Sequence, residues 1–525
     1  MTQGRVKAMP AGVQGNITDS MAQWADSAPY HTALVIGDRT WSYRALVSGM
    51  QQIAAYVARL TTQEKDAAWR PPFGAALPWV ALVSSNRIEG LQVFLGTAMA
   101  GGVTMVLSPR WGMAQLQRVL DAYPPDWLVG EANLLESLPL GGMRTALSPS
   151  GDLTPWPPQA AITPPPAAHL DRPFYACFTS GTTGQPKGIV KTHRSWLDGL
   201  AASRVEFDIR PTDQVFVPGA LSHSLSLYAA VEALSAGSTL HLLPHPIATA
   251  AVHHLQQHPI TAIVAVPTLL HLLTTEAIAQ DVRFPTVRLI ISGGAKLTAQ
   301  LTQRLRQVFP KAQIIEYYGA SELGFVSIRR ENDAMPSGSV GRAFAGVEVS
   351  IQRQDGSGTA PPGALGWVGV RSTLVCAGYL QESPTGQGFR QVNGWWTVGD
   401  RGWQDEQGHL YLAGRQDMMV CAGVNVYPAA VEAALLLLSE IGAAVVLGLR
   451  DDCRGDVIHA VLVWQDTPLD RRSLRQRLRP HLDRHALPRR FYAVSELPLT
   501  ASGKVARSML TEQIGQGELA PREIR

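Results

Sequence analysis

A chain of 525 residues is too long for a single hydrophobic core and predicts two or more domains, which an apolar content of 46% suffices to fill. A formal net charge of +3 is small for this length, so no nucleic-acid-binding surface is expected. Cys177, Cys376, Cys421 and Cys453 lie far apart without CxxC spacing, which argues against a disulfide framework or a zinc knuckle and fits a reduced, cytoplasmic setting. In chain order, the first fifteen residues lack the apolar core of a signal peptide. The stretch TPWPPQAAITPPP, Thr154 to Pro166, reads as a surface connection. Directly after it, FYACF (Phe174 to Phe178) is a short buried strand that runs into the glycine-rich FTSGTTGQPKG. From Thr239 onward, the runs TLHLL, AIVAV, VRLIISGG and AQIIEYYG alternate with helix-length segments, which predicts βα units and a parallel sheet covered on both faces. Ligands bind beyond the carboxyl ends of such strands, here SGGA (Ser292 to Ala295) and YYGASE (Tyr317 to Glu322). Composition shifts after Asp400, and a boundary near Gly414 to Asp417 leaves about 110 residues for a small α+β domain. The fold class expected is therefore α/β, with a large N-terminal domain (1–414) of parallel βα-built sheets and a small mobile C-terminal domain (415–525). The run Ala433 to Leu449, broken by Ser439, Glu440 and Gly442, reads as a buried helix and strand, not a membrane span. Arg471 to Arg490, with Leu474, Leu478 and Leu482 four apart, reads as an amphipathic helix with a basic face, either solvated or open to an anionic acceptor.

The loop from Thr179 to Gly188 combines glycines, hydroxyls and one lysine. Glycine reaches positive φ without strain, so successive N–H groups can converge on phosphate oxygens, with the hydroxyls of Thr179, Ser180, Thr182 and Thr183 and the Lys187 ammonium adding to them. A Walker A loop needs glycine before the lysine and Ser or Thr after it, but Pro186 precedes Lys187 and Gly188 follows; a GxGxxG fingerprint is missing too.

The stretch resembles the phosphate loop of the adenylate-forming superfamily, which includes acyl-CoA synthetases, firefly luciferase and peptide-synthetase adenylation domains. Its SGTTGxPKG pattern is matched from Ser180 to Gly188, preceded by Thr179. Other family motifs follow in order: ISGGAKL; YYGASE, with Ser321 for the usual threonine; VGD ending at Asp400; GRQD from Gly414 to Asp417; and PLTASGKV around Lys504. The resemblance spans about Asp19 to Leu510. It implies a two-step reaction in which a carboxylate attacks the α-phosphorus of Mg-ATP to give an acyl-adenylate and pyrophosphate, and a thiol then expels AMP. No covalent enzyme intermediate is needed, so the protein supplies positioning and charge stabilisation.

By the same resemblance, Thr179, Ser180, Gly181, Thr182, Thr183, Gly184 and Lys187 hold the β- and γ-phosphates. Glu322 binds Mg2+ as a hard oxygen ligand. Ser321 donates to the α-phosphate, and Tyr318, with Gly319 beside it, stacks on adenine opposite Gly293, Gly294 and Ala295. Asp400 takes the ribose hydroxyls with Arg415 beside it. Lys504 bridges the substrate carboxylate and the α-phosphate, His223 gates or orients the acid, and Asp417 is the hinge about which the C-terminal domain turns. By the same resemblance the loop VCAGVNVYP, containing Gly423, faces the thiol acceptor, but it lacks the acidic residue common in relatives, so the motifs imply the first half-reaction more firmly than the second.

Six histidines crowd residues 241–271. His254 and His258 are four apart, but no glutamate accompanies them as in HExxH and Pro259 ends the helix, so no zinc site is expected. No acidic residue lies between Gln214 and Val231, which disfavours an α-amino acid because a buried ammonium needs a partner. Leu225, Leu227, Tyr228 and Ala229 suit an apolar fatty or aryl acid. The chain ends about twenty residues after Lys504, so the acceptor is expected to arrive separately, as CoA or as the phosphopantetheine of a free-standing acyl carrier protein. A P-loop kinase would release ADP, and a non-catalytic relative should lack Lys504 or Glu322.

Overall fold

The computed structural model describes residues 15–60, 77–111, 113–132, 135, 143–147, 170–179, 187–245, 247–333, 335–381, 389–414, 419–421, 424–426, 428–451, 455–479, 481–482, 486–500 and 504–525. Packing divides the chain into two compact units, Met1–Val349 with Val370–Val398, and Ser350–Gly369 with Gly399–Arg525.

Among the described residues, two sheets of the first unit carry the candidate site. One has seven strands in the order Gly378–Tyr379, Lys187–Thr192, Pro173–Thr179, Val103–Leu107, Trp79–Val83, Trp127–Glu131, Met143–Leu147. Its central strands WVALV and VTMVL are buried at every position and pair in parallel, as continuous apolar runs covered on both faces must. The other has nine strands. At its centre Gln214–Val217, Ala262–Ala265, Leu289–Gly293 and Gln313–Ala320 lie side by side in parallel, as the alternating runs predict. After Ala320 the chain departs from the βα pattern: it turns back into the antiparallel strand Gly324–Arg330. The helices Ala248–Gln257, Pro267–Ala279 and Ala299–Val308 pack on this sheet through Leu255, Leu273 and Leu305 against Phe216 and Ile290. Each such side chain contributes about 1.5–3 kcal/mol by leaving water.

In the second unit, Val424–Val426, Met419–Cys421, Gly455–Trp464 and Ile441–Asp451 form an antiparallel sheet to which Arg490–Ala493 adds a parallel strand. The greasy run resolves into helix Pro428–Leu435 and strand Ile441–Asp451, and no helix among the described residues is long and apolar enough to cross a membrane. The arginine-rich helix is shorter than its leucine spacing suggests. It spans Arg471–Leu478, capped by the Asp470 carboxylate on the Ser473 N–H at 2.7 Å, with Leu474 and Leu478 buried. Leu482 packs on the core from beyond the helix.

Candidate active site

Strands Pro173–Thr179 and Lys187–Thr192 pair antiparallel, with Phe178 opposite Gly188 and Thr179 opposite Lys187. The two ends of the glycine-rich loop are therefore clamped in one hairpin; residues 180–186 lie outside the described residues. A third strand, Gly378–Tyr379, borders this hairpin through Tyr379 opposite Ile189, and the Leu380 N–H donates to the Gly188 carbonyl at 2.8 Å. The buried Lys191 ammonium holds the approach to that strand by donating to the Leu374 carbonyl at 2.9 Å.

Tyr379 joins the hairpin to Glu322. Its hydroxyl donates to Glu322 Oε1 at 2.9 Å and accepts from the Phe389 N–H at 3.2 Å, while the Cys376 N–H donates to the Glu322 backbone carbonyl at 2.7 Å. Glu322 is only 7% exposed. A buried carboxylate fixed through one oxygen and through its own backbone is a rigid hard-oxygen donor, and this fits a magnesium ligand. Cys177 and Cys376 are both buried, and burial raises their thiols, that of Cys376 to about 12. They are inert neighbours, not nucleophiles.

Glu322 and Ser321 occupy the turn joining Gln313–Ala320 to Gly324–Arg330. Gly319 is demanded there, because a Cβ would meet the Gly324 carbonyl oxygen at 2.4 Å. The pairing slips between Tyr318 and Gly319, an irregularity that re-aims the strand end. Tyr317 packs back over Gly293 and against Phe325, so Tyr318, next in the alternation, faces the opposite way and is half-buried. Gly293 pairs directly with Tyr317, and Gly294 takes φ of +86°, which turns the chain so that Gly294 and Ala295 are exposed beside the YYGASE strand end. The structure thus brings Gly293, Gly294, Ala295, Tyr318, Gly319, Ser321 and Glu322 to one end of neighbouring strands.

His223 is the half-buried N-cap residue of helix Ser224–Ser235, and the Ser224 hydroxyl lies 3.1 Å from that of Tyr175, on the strand leading into the glycine-rich loop. Sequence reasoning missed a residue that holds the segment leading into His223. Asn86, buried beyond strand Trp79–Val83, donates through Nδ2 to the carbonyls of Gly219 and Leu243, each at 2.9 Å, and accepts from the Leu221 N–H at 2.8 Å. The only signal was an asparagine after a buried strand, which reads equally well as a cap. Asn86→Ala leaves two carbonyls and one N–H unpaired, so the thermal midpoint should fall, by the equivalent of about 2 kcal/mol or more. As a positioning residue it should also raise the KM for the acid more than that for ATP; equal changes in both would leave Asn86 a scaffold residue only.

Beside His223 lies a cavity of about 20 Å³, lined by Leu82, Leu91, Phe94, Val106, Leu221 and Leu227 with the hydroxyls of Ser84, Ser85 and Ser222. Of the four helix residues read as acyl-facing, Leu227 alone lines it. Tyr228 instead packs against Trp196 and Phe325 with its hydroxyl 3.2 Å from that of Ser203, and Ala229 is buried.

Asp400 and Lys504 belong to the second unit. Asp400 is 6% exposed and its carbonyl accepts from the Val368 N–H at 2.9 Å. Lys504 is exposed on a turn closed by the Leu499 and Val505 bridge, with the Thr500 N–H donating to the Lys504 carbonyl at 2.6 Å. Arg415, Asp417 and Gly423 lie outside the described residues.

The family model for AMP-binding enzyme matches residues 21–380, and that for AMP-binding enzyme C-terminal domain matches residues 430–504. The chain is 32% identical to an uncharacterized acyl-CoA ligase of Bacillus subtilis over 82% of its length and 86% of that protein. It is 26% identical to a long-chain-fatty-acid-CoA ligase of Mycobacterium tuberculosis over 83% of its length and 88% of that protein. Its fold matches ATP-bound MatB from Rhodopseudomonas palustris with a TM-score of 0.83 at 22% identity, covering 95% of this chain and 99% of that one. It also matches o-succinylbenzoate CoA synthetase from Bacillus subtilis in complex with its acyl-adenylate, with a TM-score of 0.78 at 23% identity, covering 95% and 98%. The hairpin-clamped glycine-rich loop, the buried Glu322 and the paired strand ends are thus those of a chain that belongs to the AMP-binding enzyme family.

Proposed function

We propose that this AMP-forming acid–thiol ligase joins an apolar carboxylic acid, fatty or aryl, to the thiol of CoA. A carboxylate oxygen attacks the α-phosphorus of ATP, the bond to the bridging oxygen breaks, and pyrophosphate leaves. The thiol sulfur then attacks the acyl carbon, the acyl–oxygen bond breaks, AMP leaves, and the thiol proton passes to solvent. The observation that carries this reading is the continuous linkage from the glycine-rich hairpin through Tyr379 to Glu322 and the Gly293–Ala295 turn, with an apolar cavity beside His223. The names of the two ligase relatives support the acyl-CoA product.

In this proposal the loop from Thr179 to Lys187 grips the β- and γ-phosphates, and Ser321 donates to the α-phosphate. Tyr318 and the Gly293–Ala295 backbone hold adenine, while Asp400 and Arg415 hold the ribose. Lys504 screens the carboxylate from the α-phosphate as they approach. Glu322 holds Mg2+, which supplies charge neutralisation at the phosphate oxygens. His223 orients the acid.

The acid-free run Gln214 to Val231 and the apolar lining beside His223, with no acidic residue in it, support the substrate class. The test is a panel of aliphatic, aryl and α-amino acids with ATP, following pyrophosphate release and thioester formation separately, with CoA and with a phosphopantetheinylated carrier protein as acceptors. Apolar acids should release pyrophosphate and CoA should yield the thioester. Equal turnover of amino acids would sink the apolar reading, and thioester formation on the carrier alone would replace CoA by the carrier.

A further inference from the structure

We propose that His241, His254 and His258 form a three-histidine binding site for a divalent transition ion of the zinc class, pinning the end of helix Ala248–Gln257 to strand Thr239–Leu242. Each ring offers one nitrogen, and the three lie within 4.8 Å of one another. His241 Nδ1 is 3.0 Å from His254 Nε2. The His254 and His258 ring centroids are 4.3 Å apart, and those of His241 and His258 are 5.0 Å apart. None of these residues has a role in the reaction above.

The surroundings prepare the donors. His241 Nε2 lies 2.7 Å from Gln214 Oε1, and the Gln214 amide is oriented by donating from Nε2 to Thr239 Oγ1. An amide oxygen only accepts, so His241 carries its proton on Nε2 and directs the Nδ1 lone pair at the cluster. A hydrogen-bonded outer partner that fixes the ring tautomer is the usual support of a metal-bound histidine. The 3.0 Å contact then has His254 Nε2 donating to His241 Nδ1, and a shift of the His254 ring to its Nδ1–H tautomer frees Nε2 as the second donor when an ion enters.

In the sequence, Pro259 and the missing glutamate count against a metal, and the geometry answers both. His258 is the C-cap residue, with φ of −124° and ψ of 141°, and its N–H still donates to the His254 carbonyl at 3.0 Å. Ending the helix there leaves its ring beside those of His254 and His241. The third donor comes from the neighbouring strand, a position that spacing on the helix cannot reveal. The glutamate of HExxH serves hydrolysis and is not needed to hold an ion. Zinc–nitrogen bonds of about 2.0–2.1 Å place tetrahedral donors roughly 3.4 Å apart. The buried pair is already close to that, and the half-buried His258 can turn to complete the set, leaving a fourth position for water.

The test uses the full chain stripped with chelator and then titrated with zinc chloride by calorimetry, and with cobalt(II) by visible absorption. Wild type and the exposed control His245→Gln should each bind one equivalent, show the intense band of four-coordinate cobalt and gain thermal stability with zinc. His258→Gln should bind zinc at least about tenfold more weakly and lose the cobalt band. Zinc affinity unchanged in His258→Gln, or no binding by the wild type, would overturn the site and leave three hydrogen-bonded core histidines.

Discussion

Lys504→Ala is expected to slow acyl-adenylate formation by about 10²- to 10³-fold, the loss that follows removal of one strong transition-state donor, while thioester formation from preformed acyl-adenylate changes much less. Two anions must meet in the first half-reaction, a carboxylate and a triphosphate, and charge grows on the α-phosphate oxygens as the new bond forms. A point-charge ammonium placed between them screens the approach and gains strength as that charge develops, so its effect falls on the rate of the step. In the second half-reaction the nucleophile is a thiol and the leaving group is AMP, and the same cation is not required. The turn that carries Lys504 is held by backbone: the Leu499 and Val505 bridge, the Thr500 N–H on the Lys504 carbonyl, and the Ala506 N–H on the Pro498 carbonyl at 2.8 Å. With the side chain exposed, alanine should leave the thermal midpoint within the narrow range of surface substitutions. Pyrophosphate release under saturating substrates and a single turnover of synthetic acyl-adenylate with CoA, on the same preparation, separate the two steps. Equal losses in both would remove Lys504 from this role.

The parts of the fold legible in the sequence are those where one local rule decides. AIVAV, VRLIISGG and AQIIEYYG are β-branched runs without alternation, and only a strand covered on both faces tolerates that; all three lie side by side in parallel. The hairpin after Ala320 was not legible, because its turn depends on Gly324 at φ of +73° and on the close approach of Gly319, and SELG reads as well as the start of a helix. Of the residues named from motifs, the structure gathers Gly293 to Ala295 with Tyr318 to Glu322, while 180–186, 415, 417 and 423 lie outside the described residues. Residues that act by holding others were missed. Asn86 takes partners at positions 219, 221 and 243, and Tyr379 reaches Glu322 across 57 positions, so neither leaves a local pattern. His241 sits in an ordinary buried strand, and tertiary packing alone sets it beside His254.

The second large effect is expected at Glu232, just past the acid-free window of the sequence. It is 6% exposed on helix Ser224–Ser235, and the structure gives its Oε1 no hydrogen-bond partner. Burial pushes its carboxyl up to about 7, with the Ser203 hydroxyl and the charge of Arg204 offsetting only part of the rise. Glu232 does not line the cavity beside His223. A carboxyl that holds its proton more tightly when folded stabilises the native state fully below its ordinary value of 4.5. That contribution is lost as pH rises through the folded value near 7 and stays lost above it. Each tenfold gain in proton affinity on folding is worth about 1.4 kcal/mol, which makes the loss on the order of 3 kcal/mol. In Glu232→Gln the side chain cannot ionise, so the variant should lack this fall. Gln brings an amide N–H of its own that needs an acceptor, which moves its whole stability curve without tilting it. The quantity to measure is therefore the difference between wild type and variant in thermal midpoint from pH 4 to pH 8.5. It should shift steadily in the variant's favour across pH 4.5 to 7 and be flat beyond. A difference that stays constant over the whole range would mean that Glu232 binds its proton equally well folded and unfolded, and that burial does not raise its carboxyl.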